Sequence, residues 1–158
     1  MFEVGDYIAH PMHGAGIIEK IEIRRINGED KYYYVLKISS GDMAVMIPVE
    51  TCESIGVRPI VAREIAYRVL DSFSSINIDM SQNWNKRYRE NMIRLKSGDL
   101  FEVAIVIKGL FERDMEKGLS TGERKMLRSA KQILISEISL STDLTPLEVE
   151  TRLNSVLI

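Results

Sequence analysis

The stretch Ser81-Gln-Asn-Trp84-Asn-Lys-Arg-Tyr-Arg-Glu-Asn-Met-Ile-Arg-Leu95 holds the only tryptophan of the chain and its densest basic cluster. Tyr88, Met92 and Leu95 recur at helical spacing, which predicts an amphipathic helix over about 82–96 with Ser81 as its N-cap. Trp84 lies four residues before Tyr88 and could extend this apolar stripe as a core anchor. Its polar neighbours instead favour an exposed indole, which could enter nucleic acid as a wedge. The residues alone leave both interpretations open.

Helical periodicity continues over the rest of the second half of the chain. Capping residues punctuate it: Ser97, the box Ser120-Thr-Gly-Glu123, the box Thr145-Pro-Leu-Glu148, and Gly118 as a C-terminal glycine. With the helix over 82–96, these signals predict helices over about 60–73, 98–117, 121–140 and 146–157. We therefore expect an all-α domain of about five helices over residues 57–158.

Residues 1–56 have the pattern of short antiparallel strands. Strands are predicted at Tyr7–His10, 17–26, 31–39 and 43–47, with Asn27-Gly28 and Ser40-Gly41-Asp42 as turns. On the second strand, Ile17, Ile21 and Ile23 are expected to face inward. So many short strands in so few residues are typical of a small, bent barrel of the SH3 or Tudor kind. The predicted fold class is therefore α+β, a Tudor/SH3-like barrel followed by a helical domain.

The charge of the chain is unevenly distributed. The net charge of −2 by itself argues against nucleic acid as a partner. Residues 61–96, however, hold seven basic and four acidic side chains, whereas residues 1–60 hold six and nine. A second basic group lies within 120–131 and consists of Arg124, Lys125, Arg128 and Lys131. Local basic patches on an acidic chain suit a protein that contacts phosphate in one place and another partner elsewhere.

Compartment signals point to the cytoplasm. The beginning of the chain lacks the basic and apolar regions of a signal peptide, and no apolar run approaches the ~18 residues of a membrane span. The single cysteine, Cys52, excludes an internal disulfide and fits a reducing environment. We expect a cytoplasmic protein with no membrane segment.

No arrangement of residues typical of a catalytic site stands out. His10 and His13 have a possible metal-ligand spacing, but zinc needs further ligands that the neighbourhood does not supply. The glycines at 14 and 16 lack the residues that complete a phosphate-binding loop. We therefore expect no enzyme activity, no metal, no cofactor and no small-molecule substrate.

The last strand of the predicted barrel is a candidate docking edge. Arg24 and Met46 fall on the face opposite the one that carries Val45 and Ile47, and Pro48 ends the strand. An exposed edge strand either pairs with a partner or is protected against pairing. Both interpretations remain open from the residues alone.

Over nearly its whole length the chain resembles the CarD/CdnL family of bacterial RNA polymerase-binding transcription regulators. The resemblance lies in many motifs in fixed order: Phe2-x-Val-Gly-Asp6, Pro11-x-His-Gly14, the Gly28 hairpin, Val35-Leu-Lys37, Gly41-Asp42, Ile47-Pro48, Gly56-Val-Arg58, Asn83-Trp-x-x-Arg-Tyr88, Leu95-x-Ser-Gly-Asp99, Arg113-Asp-x-x-x-Gly-Leu-Ser120, Gly122-Glu-x-x-Met-Leu127 and Ala130-x-Gln-Ile-Leu134.

The resemblance implies a division of labour between the two halves. The barrel would bind the polymerase β subunit, and the helical domain would contact promoter DNA at the upstream edge of the transcription bubble. The family's minor-groove tryptophan corresponds to Trp84. The DNA-binding positions it implies, together with their neighbours, are Asn83, Lys86, Arg87, Arg89, Arg124 and Lys125. The expected polymerase contacts are Arg24, Val45, Met46, Ile47 and Pro48, with Met46 standing where some members have arginine.

Three alternatives remain open. In the first, the helical half is a protein-interaction adaptor with a buried Trp84 and no direct role on DNA. In the second, the chain is the polymerase-binding part of a transcription-repair coupling helicase, although it has no nucleotide-binding loop of its own. A small enzyme is the third, disfavoured by the lack of a site.

Overall fold

The computed structural model describes residues 1–39 and 42–158, so the predicted turn at Ser40-Gly41-Asp42 lies partly outside the described residues. Five antiparallel strands form one sheet in the order β4-β3-β2-β1-β5. Their bounds are β1 Tyr7–His10, β2 Gly14–Ile26, β3 Glu29–Ile38, β4 Ala44–Pro48 and β5 Arg58–Pro59. Asn27 and Gly28 both have positive φ, as the predicted two-residue hairpin requires.

The sheet is bent around a core of its own but is not closed into a barrel. Buried side chains from β1, β2, β3 and β4 share this core with Cys52 and Val57, which follow the last long strand. Because β4 and β5 lie at opposite ends of the strand order, both are edges within the part of the chain that the structure describes. The α+β fold class with a Tudor-like first domain is confirmed, and the strands of the predicted bent barrel form one open sheet.

The predicted inward face of β2 is wrong because the strand contains a bulge. The register with β3 shifts between Ile18 and Lys20, so Ile18 pairs with Leu36 and lies in the core instead of Ile17. Ile21 and Ile23 do return to the core-facing side, but both are exposed. Ile21 lies beyond the end of β1, and Ile23 lies beyond the ends of both β1 and β4.

Six α-helices accompany the sheet in the described residues. Their bounds are α1 Cys52–Ile55, α2 Arg63–Ser72, α3 Trp84–Lys96, α4 Leu100–Lys117, α5 Thr121–Ser141 and α6 Pro146–Leu157, with a 3-10 turn at Phe73–Ser75. Five of them form the helical domain, as predicted, and α1 is an unpredicted single turn. No helix of the described residues is both long enough and apolar enough to cross a membrane.

Side-chain caps fix the beginnings of α3 to α6. Ser120 and Thr145 cap α5 and α6 as predicted, and Thr145 forms a complete capping box with Glu148. Ser81 and Ser97 do not cap α3 and α4. Asn83 and Asp99 do so instead, since their side chains accept from Lys86 N and Phe101 N. The predicted beginnings of α3 and α4 are therefore each about two residues too early.

The helical core lies among α2 to α6. Val103, Val106 and Ile107 of α4 are buried at its centre, which confirms a buried helix rather than a strand in this β-branched segment. The predicted stripe of α5 is also in the core or packed against it: Met126, Leu127, Ala130, Ile133 and Leu134.

The sheet and the helical domain are joined through α5. The guanidinium of Arg58 donates to both carboxylate oxygens of Glu137 at 2.7 and 2.8 Å, and Val61 N also donates to that carboxylate. At the preceding residue of α5, the buried hydroxyl of Ser136 accepts from Ala15 N of β2 at 2.9 Å. The predicted boundary after residue 56 falls before β5, which pairs with β1 and belongs to the sheet.

Candidate nucleic-acid interface

Trp84 is the first residue of α3, and its indole is 43% exposed. It lies on the same side of the helix as Tyr88 and stacks on that ring, with centroids 5.0 Å apart and planes 20° apart. Tyr88 packs against the helical core, whereas Trp84 extends beyond the end of it. The predicted apolar stripe therefore includes Trp84, but the buried tryptophan that the adaptor alternative requires is not observed.

The indole joins the beginnings of two helices. Trp84 Nε1 donates to the hydroxyl of Ser120, the N-cap of α5, at 3.0 Å. The first backbone N–H groups of a helix have no intrahelical acceptors, and they carry the positive end of the helix dipole. The amino ends of α3 and α5 therefore lie together beside an exposed aromatic ring. This arrangement favours negative charge, such as phosphate, near the indole.

Arg87, which the sequence predicts as a phosphate contact, is buried and paired within the protein. Its side chain is 3% exposed and forms two hydrogen bonds with the Glu123 carboxylate, at 2.7 and 3.1 Å. Its remaining guanidinium nitrogen donates to the carbonyls of Ser81 and Gln82. Sequence placed Arg87 in a basic cluster, but it lies three residues after Trp84, on the side of α3 that faces α5.

Four of the predicted cations are exposed. Lys86 and Arg89 project from α3, and Arg124 and Lys125 project from the second turn of α5. These side chains can reach phosphates without losing an ion-pair partner within the protein, because each is free of salt bridges among the described residues. Asn83 is also exposed, and its side-chain oxygen is already used as the cap of α3.

The carboxyl group of Glu123 is buried directly beneath this surface. Burial alone raises its pKa, but the hydrogen bonds and positive charge of Arg87, together with hydrogen bonds from Ser120, lower the pKa below its usual range. The sequence pattern identifies Ser120 and Glu123 only as a capping box. The same spacing also places an acidic side chain on the buried side of the first turn, which was the signal for a buried partner of Arg87.

The predicted polymerase surface divides into outward and inward residues. Strand pairing places Arg24 and Met46 on one face of the sheet, because each pairs with a residue of β3 that points to that same face. Both are exposed, and Arg24 also bonds to Glu22. The side chain of Ile47 is 1% exposed and points into the core of the sheet rather than to this face.

The strand that carries these residues is an edge of the sheet. Pro48 is half-buried at the end of β4, and Val45 packs against the sheet core from the same face as Ile47. The backbone of β4 has one free side in the described residues, because the strand pairs only with β3. A groove of about 460 Å³, lined by Tyr32 and Val49 among others, opens beside this strand on the exposed hairpin.

The histidine pair has a structural role. His10 Nδ1 accepts from Met12 N within the turn that follows β1. Burial, followed by the nearby His13, lowers the pKa of His10 to about 4, so the ring is neutral at physiological pH. No group of three or more potential metal ligands occurs in the described residues.

Comparisons with known proteins match both halves of the chain. A family model described as the CarD-like/TRCF RID domain matches residues 2–61, and one described as the CarD C-terminal domain matches residues 68–154. The chain is 36% identical over 151 residues to "Putative transcription factor YdeB" of Bacillus subtilis (strain 168). The matched region covers 96% of this chain and 99% of that relative.

Proposed function

Because the chain belongs to the CarD family of transcription factors, we propose that it docks on the β subunit of bacterial RNA polymerase and stabilises the promoter open complex. The observation that carries this proposal is the half-exposed indole of Trp84, held where the beginnings of α3 and α5 meet. A large aromatic ring beside local positive charge suits a wedge at the junction between duplex and melted DNA.

The wedge favours melted DNA for a thermodynamic reason. Insertion of an apolar side chain into the minor groove costs a few kcal/mol of unstacking, and the cost is least where the duplex is already opening. Trp84 therefore binds the open junction more tightly than closed DNA. The shift in population is limited by that difference in affinity.

The exposed cations supply the second part of the contact with DNA. Lys86, Arg89, Arg124 and Lys125 would bind phosphates on either side of the indole. A few such contacts give weak, salt-sensitive affinity. Docking on the polymerase raises the effective concentration of this surface at the promoter, so a strongly basic protein is not needed. This explains how a chain of net charge −2 can act on DNA.

The sheet provides the docking element in this proposal. An edge strand such as β4 can pair with a strand of a partner through its free backbone groups. Arg24 and Met46 lie on the adjoining face and would contact the same partner. Val45 and Pro48 shape the edge, and Ile47 contributes its backbone while its side chain stays in the core.

The proposal is tested by the lifetime of open complexes on a purified promoter after a competitor is added. Base–aromatic stacking is worth about 1–3 kcal/mol, so we expect Trp84→Ala to shorten the lifetime gained from this protein by about 5- to 150-fold. Phe101→Ala is the matched control, since Phe101 is also an exposed aromatic in the first turn of a helix. A folded Trp84→Ala protein that stabilises the complex as well as the wild type would contradict the proposal.

A further inference from the structure

The exposed indole is hydrogen-bonded to a network, anchored by the buried side chains of Glu123 and Arg87, that its role as a wedge does not by itself require. We propose that Ser120, Glu123 and Arg87 are positioning residues, which hold the Trp84 ring in one orientation before DNA binds. This inference rests on the proposed function of Trp84.

All three hydrogen-bonding positions of the Ser120 hydroxyl are used. It accepts from Trp84 Nε1 at 3.0 Å and from Glu123 N at 3.2 Å, and it donates to Glu123 Oε1 at 3.2 Å. A hydroxyl group has one donor and two acceptor positions. Ser120 therefore has no freedom to rotate without losing a bond, and the direction of its bond to the indole is fixed.

The carboxylate that orients Ser120 is itself immobilised. Glu123 is 2% exposed, and Arg87 holds both of its oxygens. Bidentate arginine–carboxylate pairs define geometry as well as energy. Arg87 is in turn fixed by the carbonyls of Ser81 and Gln82, immediately before α3. The network therefore runs from the segment before α3, through the first turn of α5, and back to the indole on α3.

Two contacts of different kinds define the position of the ring. The stack on Tyr88 fixes the plane of the indole, and the bond to Ser120 fixes its rotation within that plane. Exposed side chains otherwise change rotamer within picoseconds to nanoseconds. Immobilising such a side chain on binding typically weakens affinity by about 2- to 13-fold, a cost that is avoided when the ring is already held.

The network also determines which chemistry the ring presents to DNA. The acceptors of the minor groove, adenine N3 and thymine O2, would be partners for an indole N–H group. While Trp84 Nε1 is bonded to Ser120, that donor is occupied. The wedge then acts through its apolar surface and its shape rather than through a hydrogen bond to a base.

The first test uses the fluorescence of the only tryptophan in the free protein. Ser120→Gly removes the hydroxyl at little cost in capping, since glycine is tolerated at the N-cap. For Ser120→Gly we expect faster decay of the fluorescence anisotropy and greater quenching by acrylamide than in the wild type. Ser120→Thr, which keeps a hydroxyl group, should give the wild-type values of both. Glu123→Gln should give an intermediate change. Thr145→Gly is the matched control, because Thr145 caps α6 and has no bond to the indole. Unchanged fluorescence in Ser120→Gly, or failure of Ser120→Thr to restore it, would overturn the inference.

The second test measures open-complex lifetime with the same variants. Ser120→Gly should shorten it by about 2- to 13-fold, and Ser120→Thr and Thr145→Gly should match the wild type. A mobile indole with an unchanged lifetime would refute the positioning role. If Trp84→Ala itself leaves the lifetime unchanged, the wedge function fails, and the fluorescence result still decides whether the network orders the ring.

Discussion

Replacing Arg87 by methionine removes the cation that neutralises a buried carboxylate. The two side chains are 3% and 2% exposed, and the change deletes both hydrogen bonds to Glu123 as well as those to two carbonyls. Hydrogen bonds to charged groups contribute about 1.5–3 kcal/mol each. Removal of one partner of a buried pair costs about 3–5 kcal/mol. We expect a loss of that size in the free energy of unfolding at pH 7.

The loss should depend on pH in a defined direction. In the wild type, the lowered pKa of Glu123 stabilises the fold above the unfolded-state pKa of about 4.3, and this contribution disappears as pH falls through the folded-state value. Without Arg87, burial raises the pKa of Glu123, so the folded variant takes up a proton. The difference in stability between variant and wild type should therefore narrow as the pH falls towards the lowered folded-state pKa of Glu123 in the wild type.

Urea unfolding followed by circular dichroism measures this difference. Arg89→Met is the matched control, since Arg89 is exposed on the same helix and its replacement should change stability by no more than about 0.5 kcal/mol. If Arg87→Met unfolds at the same urea concentration as the wild type, the buried ion pair does not hold the two helices together. A variant of normal stability that binds DNA less well would instead restore Arg87 as a phosphate contact.

Three further predictions follow from exposed and buried charges. Arg24→Glu should weaken binding to the isolated polymerase β subunit at least tenfold in a pull-down titration. Arg25→Glu should bind normally, because the Arg25 side chain points to the other face of the hairpin. Equal binding by the two variants would contradict the proposed docking face. Arg89→Gln should lower the slope of log K against log salt for a promoter fork by about 0.9, and an unchanged slope would exclude a phosphate contact. Glu137→Ala leaves Arg58 without its carboxylate partner and should lower the free energy of unfolding in urea by about 3–5 kcal/mol. A loss below about 1 kcal/mol would show that this pair does not hold the sheet and the helices together.

The fold was largely predictable because its signals are local. Period-two alternation, the Asn27-Gly28 turn and the caps at Ser120 and Thr145 each specify structure within a few residues. Errors arose where distant contacts decide the outcome. The bulge after Ile18 reverses one face of β2, and the length of the hairpin exposes Ile21. Neither feature can be recognised from a single strand's pattern.

The candidate site was predicted only in part for the same reason. Arg87 and Arg89 are two residues apart and chemically identical, yet one is buried and the other exposed. The difference comes from Glu123, which is 36 residues later in the chain and approaches Arg87 only when α3 packs beside the beginning of α5. The periodicity of α3 likewise predicts that Trp84 lies on the apolar side of the helix. It does not predict that the core ends there, which leaves about half of the indole surface exposed.

The most direct test of the central claim is to locate residue 84 in the open complex. A photo-crosslinking benzoylphenylalanine in place of Trp84 would be irradiated in complexes of the full chain with polymerase and a labelled promoter, and the crosslinks mapped to the nucleotide. The wedge account predicts crosslinks to DNA at the upstream edge of the bubble, appearing as the promoter melts. Crosslinks to polymerase alone, or the same DNA crosslinks in closed and open complexes, would contradict it.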